Sequence, residues 1–422
     1  MTTTTGPLRV LIVTDSFPPN CGGSGWSTFE LARGLRARGH AVDVVQPKPG
    51  RPGRSERRYD DFVVDEIGAT APGVPYVRNY FKNERLWRQL ASVLDARLAA
   101  RTYDIVHAQH VLTTVPAIRA ARARHVPVVA TVRDYWPVCY WSDLIIDPAS
   151  DSLCPECTAG NMSRCVRPRA GAAWPLALPM IPYMRANLTR KRTTLAKADA
   201  VIAVSSVIAA DLRARAPELS GARLEHIPNP VDLSAIDRDG VSAAAASHEP
   251  YLLYCGKLEV NKGADLLVRV VREAGCRLPL VVVGEGRLRQ SLEAEAREAG
   301  IDLRVLGWLP REEALGWLRH ASALVFPSRG PESLSRVLLE AGALGVPIAA
   351  MNTGGTADII RNGETGLLSA TANTLASDVA RLLNDRALAG TLGAAAREYV
   401  HKTFDARQVI GRIETLYREL IR

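Results

Sequence analysis

Residues 8–25, LRVLIVTDSFPPNCGGSG, pass within a few positions from an apolar run to a turn rich in proline and glycine. Leu8–Val13 is interrupted only by Arg9 and lacks polar alternation, the pattern of a strand covered on both faces of a parallel sheet. Pro18–Gly25 supplies the turn, a helix is predicted over Trp26–Arg38, and Ala41–Val45 is the next strand. The same succession returns at Tyr251–Cys255, followed by Gly256 and Lys257, a helix from about Ala264, the strand Leu280–Val283 and Gly284-Glu285-Gly286. Further strands are expected at Ile105–Ala108, Val126–Thr131 and Ala200–Val204, and at Leu303–Leu306, Ala323–Phe326 and Val346–Ala350. Strands alternating with helices in both halves predict an α/β protein with two doubly wound parallel sheets. In such sheets ligands bind outside the carboxyl ends of the strands, so two facing domains would form a closable cleft.

The predicted boundaries are an N-terminal domain over residues 1–228, a linker over 229–250, a C-terminal domain over 251–404 and a last helix, 405–422, docking back on the first domain. A cysteine-bearing insertion at about 134–170 is assigned to the first domain. The 422 residues agree with two or three domains at about 150 residues each.

Composition narrows the function classes. With 47% hydrophobic and 23% charged residues the chain is neither disordered nor fibrous. No stretch approaches the ~18 apolar residues of a membrane span. The opening MTTTTGPLRVLIVTDS lacks the basic and apolar regions of a secretory signal, so a cytoplasmic protein with seven reduced cysteines is expected. Residues 1–230 carry 30 Lys and Arg against 20 Asp and Glu, whereas residues 231–422 carry 23 against 24. The basic excess therefore lies in the first half, which should attract an anionic partner or surface. Nucleic acid is set aside as that partner, because aromatic residues are only 6% and no zinc-finger, RNP or basic-zipper pattern occurs.

Three constellations carry chemistry. Gly22 and Gly23, in a strand-to-helix turn, can offer backbone N–H groups and a helix N-terminus to a phosphate, or can serve only as a turn. Lys257 and Lys262, in GKLEVNKG (256–263), suit a diphosphate whose charge grows as it departs, or are two solvated lysines. Glu332 and Glu340, eight apart in PESLSRVLLE (331–340), would lie ~12 Å apart along one helix and only about 80° around it. On that reading Glu332 sits at the helix N-terminus beside the amides of Ser333–Ser335, and the pair can touch both ends of a nucleotide-sugar. The plain alternative is one capping glutamate and one at the edge of the core.

The order of these elements resembles a GT-B glycosyltransferase of family 4 over nearly the whole chain. The matching pieces are SFPPNCGG (16–23), DIVHAQH (104–110), ADAVIAVS (198–205), GKLEVNKG (256–263), VVGEG (282–286), VFPSRGPES with Glu340 (325–340) and TGGTADII (353–360). The resemblance implies two Rossmann-like domains facing across a cleft and a nucleotide-diphosphate sugar donor, with Gly22, Gly23, Lys257, Lys262 and Gly284 around its phosphates. It further implies that Glu332 contacts donor-sugar hydroxyls and Glu340 the ribose. Lys257 stands where the family usually has Arg, keeping the charge but losing the bidentate fork. Ser333-Leu334-Ser335 replaces the usual Gly-Phe-Gly, so Leu334 and Ser335 would meet the donor through their amides.

Two departures fall in the first half. The family's T-x-H reads Thr131-Val132-Arg133, and the H-x-H with its following acidic residue reads His107-Ala108-Gln109-His110. Arg133 and His110, with Glu332, are the candidate catalytic residues, and the added positive charge points to an anionic sugar or acceptor unless Arg133 merely pairs with Asp134. Retention of configuration is the family's habit, and a front-face reaction needs only a stabilised diphosphate leaving group. No Asp-x-Asp at a strand end suggests a catalytic metal, so no catalytic cofactor is expected.

Cys139, Cys154, Cys157 and Cys165 could form a structural four-thiolate zinc site, since Cys154-x2-Cys157 has half a zinc-knuckle spacing; an iron–sulfur cluster and unligated thiols are the alternatives. Ala170–Met184, AGAAWPLALPMIPYM, followed by Arg185, Arg190, Lys191 and Arg192, fits either a patch on the anionic inner face of the cell membrane or a buried lid over the acceptor site. The combined expectation is a sugar transferase acting on a glycan or lipid-linked hydroxyl acceptor in surface-glycan assembly. Its rivals are a catalytically silent nucleotide-sugar-binding subunit and a nicotinamide oxidoreductase; the second lacks GxGxxG and leaves the paired lysines and glutamates without a role.

Overall fold

The computed structural model describes residues 6–49, 53–70, 80–148, 153–242 and 249–421. Two compact units result, one of residues 1–142, 179–230 and 406–422, the other of residues 143–178 and 231–405. Residues 149–152 of the predicted insertion and 243–248 of the predicted linker lie outside the described residues.

The first unit holds an eight-stranded sheet. Its strands are β1 (Arg9–Val13), β2 (Ala41–Pro49), β3 (Gly53–Tyr59), β4 (Phe62–Ala69), β5 (Ile105–Ala108), β6 (Val128–Val132), β7 (Ala200–Ala203) and β8 (Leu224–His226). They lie in the order β3-β4-β2-β1-β5-β6-β7-β8, all parallel except the β3–β4 pair. Val10, Leu11, Ile12 and Val13 are fully buried, which is why this strand shows no alternation. The β3–β4 hairpin was not expected. Phe62, Val64 and Ile67 of β4 are buried, whereas the exposed residues of GRSERRY on β3 form a charged edge that discourages further pairing.

The last helix, Ala406–Leu420, lies in this unit against the helix Gly23–Ala37, burying Val409, Ile410, Ile413, Leu416 and Tyr417. Those residues recur at helical spacing, giving one apolar stripe.

The second unit holds a six-stranded, wholly parallel sheet in the order β11-β10-β9-β12-β13-β14. The strands are β9 (Leu252–Cys255), β10 (Leu280–Val283), β11 (Leu303–Gly307), β12 (Ala323–Phe326), β13 (Ile348–Met351) and β14 (Leu367–Ser369). Each unit thus holds a doubly wound sheet, as expected.

Two boundaries differ from the expectation. The predicted linker contains a helix, Leu233–Ser242, opened by Asp232, whose carboxylate accepts the Ala235 N–H at 3.0 Å. Ala235 and Ile236 are buried, the helix lies against helix Arg311–Arg319, and Arg319 and Arg397 pair with Asp237. The insertion, from Asp143 on, groups with the second unit and not with the first. Arg169 fastens it, pairing with Asp143 at 2.7 Å and donating to the carbonyls of Ile145, Ile146 and Cys165, while Ile145 reaches Gly330.

Candidate active site

In the second unit the loops after β9, β10, β12 and β13 meet at the carboxyl edge of the sheet. The β9 loop carries Gly256–Gly263, with Lys262 in a short 3-10 turn over Val260–Lys262. Arg329 and Gly330, after β12, donate their amides to Asn261 O at 3.1 and 2.8 Å, stitching the two loops together. Lys262 Nζ then stands 2.7 Å from Glu332 Oε1, and Ser328 Oγ donates to the same oxygen at 2.5 Å. Glu332 is buried and Lys262 half-buried, so this carboxylate is held by a charge-assisted bond as well as a hydroxyl. Lys257 is exposed on the same loop.

Glu332 is not on a helix. The helix runs Arg336–Leu344 with Ser335 as its N-cap, so the angle worked out from eight helical residues does not apply to the pair. Pro331 disfavours helix at Gly330, and the segment is tied down elsewhere, with Gly355 N–H donating to Glu332 O at 2.7 Å. Gly354, at φ +52°, lies so close that a Cβ there would stand 2.0 Å from Glu332 O, so only glycine allows this approach. Gly284 has the same kind of role: at φ +145° a Cβ would fall 1.9 Å from Gly256 O, so it seats the β10 loop on the β9 loop.

The amides of Ser333, Leu334 and Ser335 make no hydrogen bond among the described residues, while the Leu334 side chain is buried. Glu340 lies on the helix, buried, with Oε1 held by Arg336 Nε at 3.0 Å and Arg311 Nη2 at 3.3 Å. Its contacts converge on that one oxygen. The neighbouring Cys255 thiol is pushed up to about 12, first by burial and then by the Glu340 charge.

In the first unit the helix starts at Gly23 rather than Trp26, placing Gly22 at its N-cap. A Cβ on Gly22 would meet nothing within 4 Å, so open space lies in front of this helix end. The preceding loop is clamped by Arg57 on β3, which donates to Pro18 O at 2.5 Å and to Phe17 O at 3.4 Å while pairing with Glu66 at 2.9 Å.

His110 follows β5 and is buried. Its Nδ1 accepts the Asp15 N–H at 3.2 Å and lies 3.1 Å from Thr14 Oγ1. Burial, with the Arg133 charge, lowers its pKa to about 3, so the ring is neutral. Arg133 donates Nη2 to Gln109 Oε1 at 2.7 Å. Neutral His110 therefore brings no positive charge here, and the anionic ligand inferred from the paired substitutions loses half its basis.

Sequence reading gave no role to Asp15 or Arg57, and took Gln109, Ser328 and Thr353–Gly355 only as parts of matching pieces. Asp15 stands one residue beyond Thr14 at the carboxyl end of β1, a position the strand-end rule singles out. Burial raises its carboxyl to about 7, and raises that of Asp134, beyond β6, to about 6.

The cysteines are free thiols. Cys139 belongs to the first unit, and Cys154, Cys157 and Cys165 to the second. Cys154 Sγ donates to Glu156 O at 3.2 Å and Cys165 Sγ to Met162 O at 3.3 Å, as protonated thiols do. Among the described residues no three His, Cys, Asp or Glu side chains gather as metal ligands.

Comparison with known proteins bears on both units. The family described as "Glycosyltransferase Family 4" matches residues 21–235, half of the chain, and "Glycosyl transferases group 1" matches residues 237–399. The chain is 28% identical to glycogen synthase of Mycobacterium tuberculosis, over 95% of this chain and 92% of that one. It is 27% identical to the GDP-mannose-dependent alpha-(1-6)-phosphatidylinositol monomannoside mannosyltransferase of the same organism, over 93% of each chain. Among solved structures, sucrose-phosphate synthase from Thermosynechococcus elongatus superposes with a TM-score of 0.74 at 22% identity, over 98% of this chain and 99% of that one. A doubly wound sheet in each unit, seven motifs in order and two matching family descriptions agree: the chain belongs to glycosyltransferase family 4, within the group 1 glycosyltransferases, and has the GT-B fold.

Proposed function

We propose that this glycosyltransferase moves a sugar from a nucleotide-diphosphate donor to a hydroxyl acceptor with retention of configuration. The observation that carries the reading is the Lys262–Glu332 pair in the second unit, with Lys257 on the same loop and the partner-free amides of Ser333–Ser335 nearby in sequence. An arriving diphosphate competes with Glu332 for Lys262, and the displaced carboxylate becomes an acceptor for sugar hydroxyls. Glu340 Oε2, left outside the contacts that Oε1 makes with two guanidiniums, accepts the ribose hydroxyls. As the glycosidic bond breaks, the diphosphate gains charge, and the two ammonium groups stabilise it where it forms. A leaving phosphate oxygen can then take the acceptor's proton on the face it leaves, which gives retention without an enzyme-bound intermediate. Gly22 and Gly23, at a helix end of the first unit with open space in front of it, offer N–H donors suited to an anion.

The acceptor reading, a lipid-linked or cell-surface glycan, draws on the first half's basic excess and on the segment after Ala170. That segment forms short turns broken by proline, and Leu176 is 84% exposed, which fits a lipid-facing patch better than a buried lid. No helix among the described residues is long and apolar enough to cross a membrane.

Calorimetric titration with UDP, GDP, ADP and dTDP tests the donor site. Binding of one of them, lost in Lys257→Ala and Glu340→Ala, is expected. Well-folded protein that binds none would overturn the reading and favour a silent subunit.

A further inference from the structure

The second unit has a cavity at the amino edge of its sheet, opposite the edge that carries Lys262 and Glu332. The segments entering β9, β10, β12 and β13 and the turn between helices Ala372–Asn384 and Arg386–Phe404 surround about 670 Å³ of space. That is the size of a site for a small organic molecule. The wall is apolar where Leu278, Pro347 and Leu383 stand. Gly390 keeps it open, because a Cβ there would meet nothing within 4 Å. Glycine inside a 19-residue helix weakens the helix, and no neighbour among the described residues packs closely enough to require one here.

Two cations border this cavity, Arg277 ahead of β10 and Arg386 in the first turn of the following helix, and no Asp or Glu lines it. Among the described residues neither guanidinium enters an ion pair or a hydrogen bond. The acidic groups nearby in sequence are engaged elsewhere. Asp385 Oδ1 accepts the Leu388 N–H at 2.9 Å, Glu273 pairs with Arg269 at 2.9 Å, and Glu249 pairs with Arg304 at 3.4 Å. A guanidinium fork matches the oxygens of a phosphate or a carboxylate, and the apolar wall matches a hydrocarbon body. An inorganic ion would leave the wall unused, and a neutral apolar molecule would leave the charge unused.

We propose that this cavity binds a small organic oxyanion, a phosphate or carboxylate joined to an apolar body. Arg277 and Arg386 take the oxyanion, and Leu278, Pro347 and Leu383 cover the body. The donor groups stand at the opposite ends of the same parallel strands, so the occupant does not compete with a nucleotide. The proposal is independent of the transferase reading.

The test uses the full chain and four probes read by calorimetry: phenyl phosphate, benzoate, inorganic phosphate and benzyl alcohol. Phenyl phosphate or benzoate should bind about tenfold or more tightly than the two probes that lack one half, and the better of them identifies the oxyanion. Its affinity should fall about tenfold in Arg277→Ala and in Arg386→Ala, the size of one charged hydrogen bond. Both side chains are exposed, so the variants should fold, which thermal melting checks. The half-buried Cys276 thiol lines the cavity, so the bound probe should slow its alkylation by iodoacetamide, read by mass spectrometry of the peptide that carries it. Failure of both phenyl phosphate and benzoate to bind overturns the proposal, as do equal affinity for inorganic phosphate, undiminished affinity in both folded variants, or unchanged alkylation of Cys276 at saturation. Displacement of the probe by UDP or GDP would place it at the donor edge and overturn the proposal while supporting the donor reading.

Discussion

Lys262 and Glu332, seventy positions apart in sequence, share a 2.7 Å ion pair at the carboxyl edge of the second sheet. On the donor reading proposed above, a lysine committed to a carboxylate exchanges it for a phosphate without moving far. Removing the lysine takes the 2.7 Å ion pair away from a buried carboxylate. Lys262→Ala should lower nucleoside-diphosphate affinity by about tenfold or more and reduce stability by roughly 1–3 kcal/mol. Lys262→Ala/Glu332→Gln should recover the stability and not the affinity. Paired calorimetry and urea unfolding check this; affinity regained in the double variant would show the role to be structural.

Glu340 gives a second, separable prediction. Its carboxylate holds Arg336 and Arg311 through one oxygen, so Glu340→Gln keeps the shape and an acceptor for one of them. Binding of a nucleoside diphosphate should weaken about tenfold, one lost charged hydrogen bond, while inorganic pyrophosphate binds as before. Equal losses for both ligands would mean that the helix, and not the ribose contact, has been disturbed.

The pH dependence of stability should carry the mark of Asp15. Its carboxyl is raised to about 7 by burial, so the folded chain holds a proton that the unfolded chain releases near its ordinary value of 3.8. Its contribution to stability is therefore complete below about pH 4, falls as the pH rises, and is lost above about pH 7. Asp15→Asn should remove that slope and stabilise the protein at pH 8 by on the order of 1–3 kcal/mol. Urea unfolding from pH 4 to 8 measures it; an identical slope in the variant would contradict the assignment.

Tyr417, on the last helix, meets His107 Nδ1 at 2.5 Å, and His107 Nε2 lies 2.7 Å from Thr131 Oγ1. Tyr417 and His107 are fully buried, and burial holds the ring well below its ordinary pKa. Tyr417→Phe should cost about 1–3 kcal/mol, because the His107 nitrogen loses its buried partner. Urea unfolding midpoints check this; an unchanged midpoint in the variant would contradict it.

The exposed turns after Ala170 make a prediction about surfaces. If they face lipid, the parent chain should sediment with vesicles of anionic phosphatidylglycerol and not with neutral phosphatidylcholine, and Leu176→Glu should reduce the bound fraction. Insensitivity to lipid charge would remove the membrane from the acceptor reading.

How much of this was legible beforehand differs from residue to residue. The strands of both sheets show in the sequence because a strand buried on both faces is a run of apolar residues, and Leu280–Val283 can be read as nothing else. Lys257, Lys262, Glu332 and Glu340 were legible as chemistry because their residue types in that order are unusual. The β3–β4 hairpin was not, since the edge strand RSERRY is too charged to look like one and exists only because β4 offers it a partner. Nor was the helix in the linker, whose two buried residues are significant only once helix Arg311–Arg319 lies against them.

By itself, then, the sequence determined the parallel strands of both sheets and the identity of the charged groups at the second sheet's edge, because these follow from local patterns of burial and residue type. Only the tertiary structure decided that Glu332 stands off the helix, that Arg133 spends a nitrogen on Gln109, that His110 is neutral, and that its ring accepts the amide of Asp15, ninety-five positions before it. Protonation and hydrogen-bond vacancy depend on which distant groups share a buried volume, and no local pattern records that.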